Sequence, residues 1–275
     1  MSNSTLHTRR VAIAAVFLSI ALVLRLLMTF YLPIYGQNGA RVNIGMVFVI
    51  LPAIFFGPLY GAIVAGLFDL LGFMLRPSGA FLPWMTIVVT LGGALRGLLW
   101  RGLRDRSRPL LRIYILTFAV PLLFLGGLNM VLLNLDDTGE TYLISRLLIE
   151  RTQGASNPDE ALAGMRLAVT WGPIGAAGFA LLLLAVDFSL AKWFVKQEQI
   201  SPLLPLTITI LLSGLFVSTL NTLVLQAVFW PGIPFAAVWA PRAAVSLLID
   251  AAFVYFTALL LGLFERQESF KQLIR

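Results

Sequence analysis

The chain has 275 residues, of which 59% are hydrophobic and only 12% are charged, and its formal net charge is +7. Soluble domains carry about a quarter charged residues, so this composition excludes an ordinary soluble enzyme, and disordered chains have the opposite balance. The absence of cysteine excludes disulfides, thiolate metal sites and cysteine nucleophiles. The single histidine, His7, precedes the first apolar run, so we expect no histidine-based catalytic or metal site inside a membrane.

Eight apolar runs follow one another along the chain, and each is a candidate membrane helix because roughly 20 apolar residues cross a bilayer. They cover residues 11–33, 43–56, 58–75, 82–100, 110–135, 167–191, 203–229 and 242–264. The runs are continuous, which favours helices over the alternating strands of a membrane barrel. The second and third are short, and one alternative is that 43–75 forms a re-entrant hairpin. The sequence predicts an all-α polytopic membrane bundle of about eight transmembrane helices.

The basic residues predict the orientation of these helices. With both termini in the cytoplasm, twelve lysines and arginines fall inside and six outside, as the positive-inside rule requires. The strongest cluster is the run of five arginines within residues 101–112. The net charge of +7 is therefore attributed to cytoplasmic loops and not to nucleic-acid binding.

The chain is predicted to be a single membrane domain, 1–275, with two kinds of region. Segments 11–102 and 203–264 are rich in small residues and hold most of the polar groups within the apolar runs. Segment 103–202 contains two plainer spans and a polar outer loop, 136–166. Small residues recur at helical spacing, which indicates either close packing within the chain or a surface that slides against a partner helix. They are Ala53, Gly57, Gly61 and Ala65, with a second pair at Gly93 and Gly97.

Charged residues inside the apolar runs are costly and mark either a site or a buried pair. Arg25 and Asp69 lie roughly 21 Å and 17 Å above the inner ends of their helices, so a neutralising pair between them is geometrically possible. Asp250 lies roughly 12 Å below the outer end of the last helix, within the same slab of the bilayer. Arg96 and Asp187 are close to inner helix ends, where we expect them to snorkel to the interface.

Polar and aromatic residues collect near the outer helix ends and predict a ligand pocket. Asn221 and Gln226 place amides on a long apolar helix, where each needs a partner, and Arg242 could bind a carboxylate bidentately. Tryptophan faces, amides and arginines suit a flat, anionic, heteroaromatic ligand. The set comprises Arg41, Asn43, Arg76, Ser78, Trp84, Thr86, Asn221, Thr222, Gln226, Trp230, Trp239 and Arg242. The chain has no Gly-Lys pair and hence no P-loop, so any ATP-driven transport requires an ATPase on another polypeptide.

A succession of short motifs carries a family resemblance. After the stretches 16–25 and 43–52 come FGPLYG at 56–61, DLLG at 69–72 and PSGAFLP at 77–83, and LNTL at 220–223 and Pro241-Arg242 follow downstream. This succession resembles the substrate-binding S components of energy-coupling factor (ECF) vitamin transporters, most closely the folate branch. The resemblance covers 11–102 and 203–264 and leaves 103–202 as an inserted two-helix segment.

The resemblance implies a non-enzymatic vitamin-binding subunit in a prokaryotic cytoplasmic membrane. It implies a six-helix core with both termini cytoplasmic and an outward-facing pocket that is roofed by outer loops and lined by the last three helices. It further implies a separate transmembrane coupling (T) protein and two ABC-type ATPases; the ATPases use the ATP, and the chain itself binds no cofactor or metal. The whole subunit would topple in the membrane to release its vitamin inside.

The predicted site combines the residue types above with this resemblance. The substrate-binding residues are predicted to be Arg25, Asn43, Arg76, Trp84, Asn221, Gln226 and Arg242. The first helix of the family docks on the coupling protein through A-x-x-x-A. The nearest match here runs from Ala15 to Ser19 with Ala12 beside it, and the serine is a departure from the motif.

Two other functions remain open from the sequence. One is a stand-alone secondary transporter that uses Asp69 and Asp250 as ion sites. The other is a membrane assembly subunit that binds no small ligand. The sequence does not identify the vitamin or the purpose of the inserted segment.

Overall fold

The computed structural model describes residues 3–32, 40–77, 81–136, 203–229 and 235–265, together with scattered helical positions between 170 and 188. The elements in chain order are α1 (Asn3–Leu27), β1 (Thr29–Leu32), β2 (Ala40–Asn43), α2 (Met46–Phe56), α3 (Pro58–Leu75), α4 (Pro83–Leu103), α5 (Arg108–Asp136), α6 (Leu203–Phe229) and α7 (Phe235–Glu265). A shorter apolar helical segment, Pro173–Leu182, precedes α6.

Five helices in the described part of the chain are long and apolar enough to cross a membrane. They are Thr5–Leu27, Pro58–Leu75, Pro109–Leu128, Leu203–Phe229 and Val245–Phe264. The chain is therefore a helical, multi-pass membrane protein. The predicted total of eight spans and the cytoplasmic placement of both termini stay predictions.

A short β-hairpin departs from the all-α prediction. β1 pairs antiparallel with β2, with Thr29 opposite Asn43 and Leu32 opposite Ala40. The expectation that the first apolar run is helical to residue 33 is wrong, because α1 ends at Leu27. The four residues of β1, Thr-Phe-Tyr-Leu, are β-branched, aromatic or apolar, and such side chains suit a strand as well as a membrane helix.

Helix α2 is short and enclosed by protein. Its 11 residues extend about 16 Å, half of the hydrocarbon thickness, whereas the 18 residues of α3 extend about 27 Å. Nine residues of α2 are buried, and the helix packs against α1, α3 and α4. The two interpretations of 43–75 were two full spans and a re-entrant hairpin. The structure has a buried helix of half the bilayer thickness followed by a helix of full length, so it matches neither interpretation completely.

Gly57 joins α2 to α3 and requires glycine. Its φ of 93° lies in the left-handed region, and the Arg101 guanidinium occupies the space that a β-carbon would need. Arg101 also donates to the Phe56 carbonyl at 3.4 Å, near the C-terminus of α2. Pro58 then opens α3, where its missing N–H has no structural cost.

The small-residue stripe of α3 packs against α4 inside the protein. A β-carbon on Gly61 would lie 2.5 Å from the Gly93 carbonyl oxygen, and one on Gly97 would lie 2.5 Å from the Pro58 α-carbon. The two helices thus cross backbone against backbone. Of the two interpretations of this stripe, the structure supports packing within the chain.

The chain divides into two compact units. Unit 1 comprises Met1–Arg106, Ser201–Asn221 and Ser246–Arg275, and unit 2 comprises Ser107–Ile200 and Thr222–Val245. The predicted insertion, 103–202, covers most of unit 2, which also takes residues 222–245 from the predicted core.

The core of unit 1 draws on α1, α2, α3, α4 and parts of α6 and α7. Three phenylalanines meet within it: the Phe17 and Phe264 ring centroids are 5.6 Å apart, and those of Phe55 and Phe264 are 5.8 Å apart. In unit 2, Gly126 of α5 faces Ile174, and the Arg112 guanidinium lies 3.9 Å from the Phe188 ring centroid.

Candidate functional site

Arg25 and Asp69 meet where α1 and α3 end. Their closest nitrogen and oxygen atoms are 3.9 Å apart, and the side chains are 15% and 28% exposed. Arg25 also donates from Nη1 to the Phe68 carbonyl at 2.8 Å and lies 5.0 Å from the Phe68 ring centroid. The structure therefore brings the predicted pair together, but the contact is long and only partly buried.

Thr86 of α4 and Gly72 of α3 are in contact with this pair and complete the cluster. The Thr86 hydroxyl, in the first turn of α4, donates to Asp69 Oδ2 at 2.7 Å. Gly72 of α3 leaves room for the Arg25 guanidinium, which occupies the position that a β-carbon would take. The cluster ties α1, α3 and α4 together at the end of unit 1 that carries the hairpin.

The opposite end of unit 1 is held by a different pair. His7 Nδ1 and the Tyr60 hydroxyl are 2.7 Å apart, which joins the start of α1 to the start of α3. Helices α1 and α3 therefore run in the same direction.

The other predicted ligand residues of unit 1 differ in exposure, because Asn43 is buried whereas Arg76 and Trp84 are exposed. Asn43 is buried, and its Oδ1 accepts the Gly45 N–H at 2.7 Å, so this oxygen orders the turn into α2. Arg76 is exposed and lies 3.5 Å from the Leu26 carbonyl, and Trp84 is 64% exposed at the start of α4. Arg76 and Trp84 thus remain accessible near the hairpin end.

The predicted ligand residues of α6 and α7 are at least partly buried. Asn221 Oδ1 and Arg242 Nε are buried and have no hydrogen-bond partner among the described residues. Gln226 and Arg242 are half-buried, and each has an interaction through other atoms. Trp239 stacks on Phe235, with ring centroids 6.0 Å apart. Ser78, Trp230 and Asp187, and the side chain of Arg41, lie outside the described residues.

The predicted docking residues share the exposed face of α1. Ala12, Ala15 and Ser19 are exposed, whereas the neighbouring Ala14 is buried in the core. The Ser19 hydroxyl donates to the Ala15 carbonyl at 2.9 Å, so its hydrogen-bonding need is met within the helix. A partner helix would therefore meet a narrow surface of small side chains there.

The expectation that Arg96 snorkels is wrong. Only 4% of Arg96 is exposed, and its Nε donates to the Ser213 hydroxyl of α6 at 3.1 Å. The Asp250 carboxylate of α7 is close enough to act on it electrostatically, although no nitrogen of Arg96 reaches ion-pairing distance. Proximity to a helix end suggested an escape to water, but α6 packs against this part of α4. The missed signal is that Asp250 also needed a partner.

Comparison with known proteins identifies the family. The family model of the ECF-type riboflavin transporter S component matches residues 5–143, just over half of the chain. The chain belongs to this family of S components. It is also 29% identical over 108 residues to the folate transporter FolT of Clostridium novyi (strain NT), a match that covers 39% of this chain and 62% of that protein. The chain therefore spans less than two thirds of the curated relative, and no solved structure matches it.

The family match covers only some of the predicted site residues of this S component. It includes helices α1 to α5, and therefore Arg25, Asn43, Asp69, Trp84 and Arg96. It also runs through α5, which the sequence interpretation assigned to the insertion. Residues Asn221, Gln226 and Arg242 lie beyond the match, so their roles depend on the residue chemistry alone.

Proposed function

We propose that this S component is the substrate-binding subunit of an ECF-type importer that captures a vitamin at the outer face of a prokaryotic cytoplasmic membrane. The single observation that carries the proposal is the family match over residues 5–143. Those residues include helices α1 to α4, whose buried side chains form much of the core of unit 1. We infer eight spans with both termini cytoplasmic, because the charge distribution favours that arrangement.

The vitamin is proposed to be heteroaromatic. The family is named for riboflavin and the curated relative for folate, and both vitamins contain a flat, fused ring system that includes a pyrimidine. Trp84 offers an exposed aromatic face, and Asn221 offers a buried amide oxygen. Arg76 completes the proposed contacts within unit 1, while Arg25 and Asn43 support the site by holding α3 and the turn into α2. Gln226 and Arg242 belong to unit 2 and stay predicted ligand residues.

The partners are proposed to be a transmembrane coupling protein and two ABC-type ATPases. The chain has no P-loop, so the ATP would be bound and hydrolysed by the partners. The exposed small residues Ala12, Ala15 and Ser19 give α1 a surface on which another membrane helix can pack closely. Release of the vitamin would follow movement of the S component against this partner.

A stand-alone secondary transporter is disfavoured at one of its two proposed ion sites. Asp69 faces Arg25, with their closest nitrogen and oxygen atoms 3.9 Å apart. This guanidinium partly compensates the Asp69 carboxylate and reduces its affinity for a transported cation.

Equilibrium binding to the purified full chain in detergent tests this proposal. We expect either riboflavin or folate to bind tightly, with a submicromolar Kd, in the absence of ATPases. Native mass spectrometry of the unheated preparation should show the same vitamin as a co-purifying mass. If neither vitamin binds and no ligand co-purifies, the chain is an assembly subunit and the proposal is wrong.

A further inference from the structure

We propose that one end of unit 1 binds anionic phospholipids through the phosphodiester of their headgroups. We call it the basic end, and it consists of five arginines at the start of α1 and at or just after the end of α4. They are Arg9, Arg10, Arg101, Arg104 and Arg106, and all of them belong to unit 1. This contact with the surrounding bilayer would be independent of vitamin binding.

Helix packing brings the start of α1 and the end of α4 together. The contact between His7 and Tyr60, at 2.7 Å, joins the early part of α1 to the start of α3, and the two arginines of α1 lie within one turn of His7. Helix α4 runs antiparallel to α3, as the contacts of its glycines with α3 show. Its last turn therefore places Arg101 against Gly57, at the corner between α2 and α3.

The basic end carries an excess of positive charge. Helix α7 also ends here, because Phe264 packs on Phe55 near the end of α2. Among the described residues, the acids at these helix ends are Asp105 and Glu265. The Asp105 carboxylate lies 3.2 Å from Arg104, but both side chains are largely exposed, so the pair holds its partners weakly. Five arginines against two acids leave an excess of three positive charges, which favours an anionic surface.

The guanidinium groups of the α4 arginines are held in place without being used up. Arg104 donates from Nε to Asp105 Oδ2 at 3.2 Å. Arg106 donates from Nε to the Gly102 carbonyl at 3.4 Å. Neither arginine uses its two Nη groups within the part of the chain that the structure describes. These two groups form the fork with which a guanidinium binds phosphate oxygens bidentately.

Exposed apolar side chains place the arginines at the edge of a lipid-facing surface. Val11 follows Arg10 on α1, Leu59 lies beside the corner between α2 and α3, and Leu98 lies one turn before Arg101 on α4; all three apolar side chains are exposed. In a membrane protein such side chains face acyl chains, and arginines at the limit of that surface reach the headgroups. A phospholipid can contact both groups at once, whereas a soluble anion or an acidic protein surface would contact only the arginines.

The test compares two lipids that differ in the charge of the headgroup. The purified full chain in detergent is mixed with equal amounts of phosphatidylglycerol and phosphatidylcholine that have the same acyl chains, and the bound lipids are counted by native mass spectrometry. We expect phosphatidylglycerol adducts to exceed phosphatidylcholine adducts at least about fivefold. The paired change Arg104→Gln and Arg106→Gln should reduce this preference to about twofold or less, because both forks are lost.

The paired change Arg146→Gln and Arg151→Gln is the matched control, because it removes the same charge from the predicted outer loop, 136–166. It should keep the full preference for phosphatidylglycerol. Should the Arg104 and Arg106 variant fail to fold, Arg106→Gln alone provides a milder variant that should still lower the preference measurably. A separate arm adds inorganic phosphate, which should not displace the lipid.

Equal binding of the two lipids by the wild type would overturn the proposal, as would an unchanged preference in the Arg104 and Arg106 variant. Loss of the preference in the control as well would show a general effect of charge and would also overturn it. Displacement of the lipid by inorganic phosphate would assign the basic end to a soluble anion. If the variant keeps the lipid preference but the complete transporter loses uptake, the basic end binds an acidic surface of a partner protein and the proposal is wrong.

Discussion

Arg242 lies near the start of α7 and is half-buried, so its guanidinium is the group that we expect to distinguish an anionic vitamin from a neutral one. Folate carries carboxylates that an arginine can bind bidentately, whereas riboflavin carries none. Arg242→Ala should weaken folate binding by about tenfold or more and change riboflavin binding by less than about twofold. Titration of both vitamins on the purified variant measures this. An equal loss for both vitamins would mean that Arg242 supports the pocket without binding a carboxylate.

Asp69 tests how much a partly buried pair contributes to stability. Asp69→Asn removes the charge that faces Arg25, but Arg25 keeps its bond to the Phe68 carbonyl and the asparagine oxygen can still accept from Thr86. We therefore expect the free energy of unfolding to fall by about 1–3 kcal/mol, less than for a fully buried pair. Denaturant unfolding in detergent measures this, with Thr86→Val as the control for the hydroxyl alone. An unchanged midpoint would show that the 3.9 Å contact contributes nothing.

Among helices, the crossing of α3 and α4 depends on glycine at the contact. A β-carbon on Gly93 would collide with the Gly61 carbonyl and lie 2.8 Å from the Ala65 β-carbon, whereas one on Gly102 of the same helix would meet nothing within 4 Å. Gly93→Ala should lower the free energy of unfolding by about 1–3 kcal/mol through overpacking. Gly102→Ala should leave it equal or slightly higher, because alanine is the better helix former. Equal stability of the two variants would contradict the close crossing.

A substitution on the exposed face of α1 is expected to impair transport without impairing vitamin binding. Ala15→Leu places a bulky side chain on the small-residue surface without touching the core, since Ala15 is exposed. The purified variant should bind vitamin like the wild type, while uptake by the complete transporter should fall at least about fivefold because helix approach is blocked. Ala252→Leu, the same change at an exposed position of α7, is the control and should retain uptake. Normal uptake by Ala15→Leu would show that the coupling protein docks elsewhere.

The helices were predictable from the sequence where apolar runs have clear limits. The predicted runs 58–75 and 203–229 coincide with α3 and α6, and 110–135 falls within one or two residues of α5. The β-hairpin was missed because a four-residue apolar strand directly after a helix has no separate periodicity. The last helix was predicted to open at Arg242, but α7 begins seven residues earlier, at Phe235.

The site was less predictable than the helices. Arg25 and Asp69 could be paired by comparing their depths along the bilayer normal. Arg96 could not be paired in this way, because its hydrogen-bond partner, Ser213, comes from a helix more than 100 residues later, and depth alone suggested a snorkelling side chain. Contacts between distant helices depend on how the bundle closes, which the order of apolar runs does not specify.

At the scale of the whole molecule, the protein is proposed to be a binding subunit that depends on partners for energy. The chain offers exposed small residues for a partner helix, an Asp69 carboxylate that faces Arg25, and no P-loop motif. Membership of the S component family supports the same division of labour.

Uptake into proteoliposomes tests this central claim most directly. The chain is reconstituted alone, or together with a coupling protein and two ATPases, and uptake of labelled riboflavin and folate is measured with internal or external ATP and with imposed proton or sodium gradients. We predict sustained, ATP-dependent uptake of one vitamin by the complete assembly and none by the chain alone under any gradient. Sustained gradient-driven uptake by the chain alone would contradict the account.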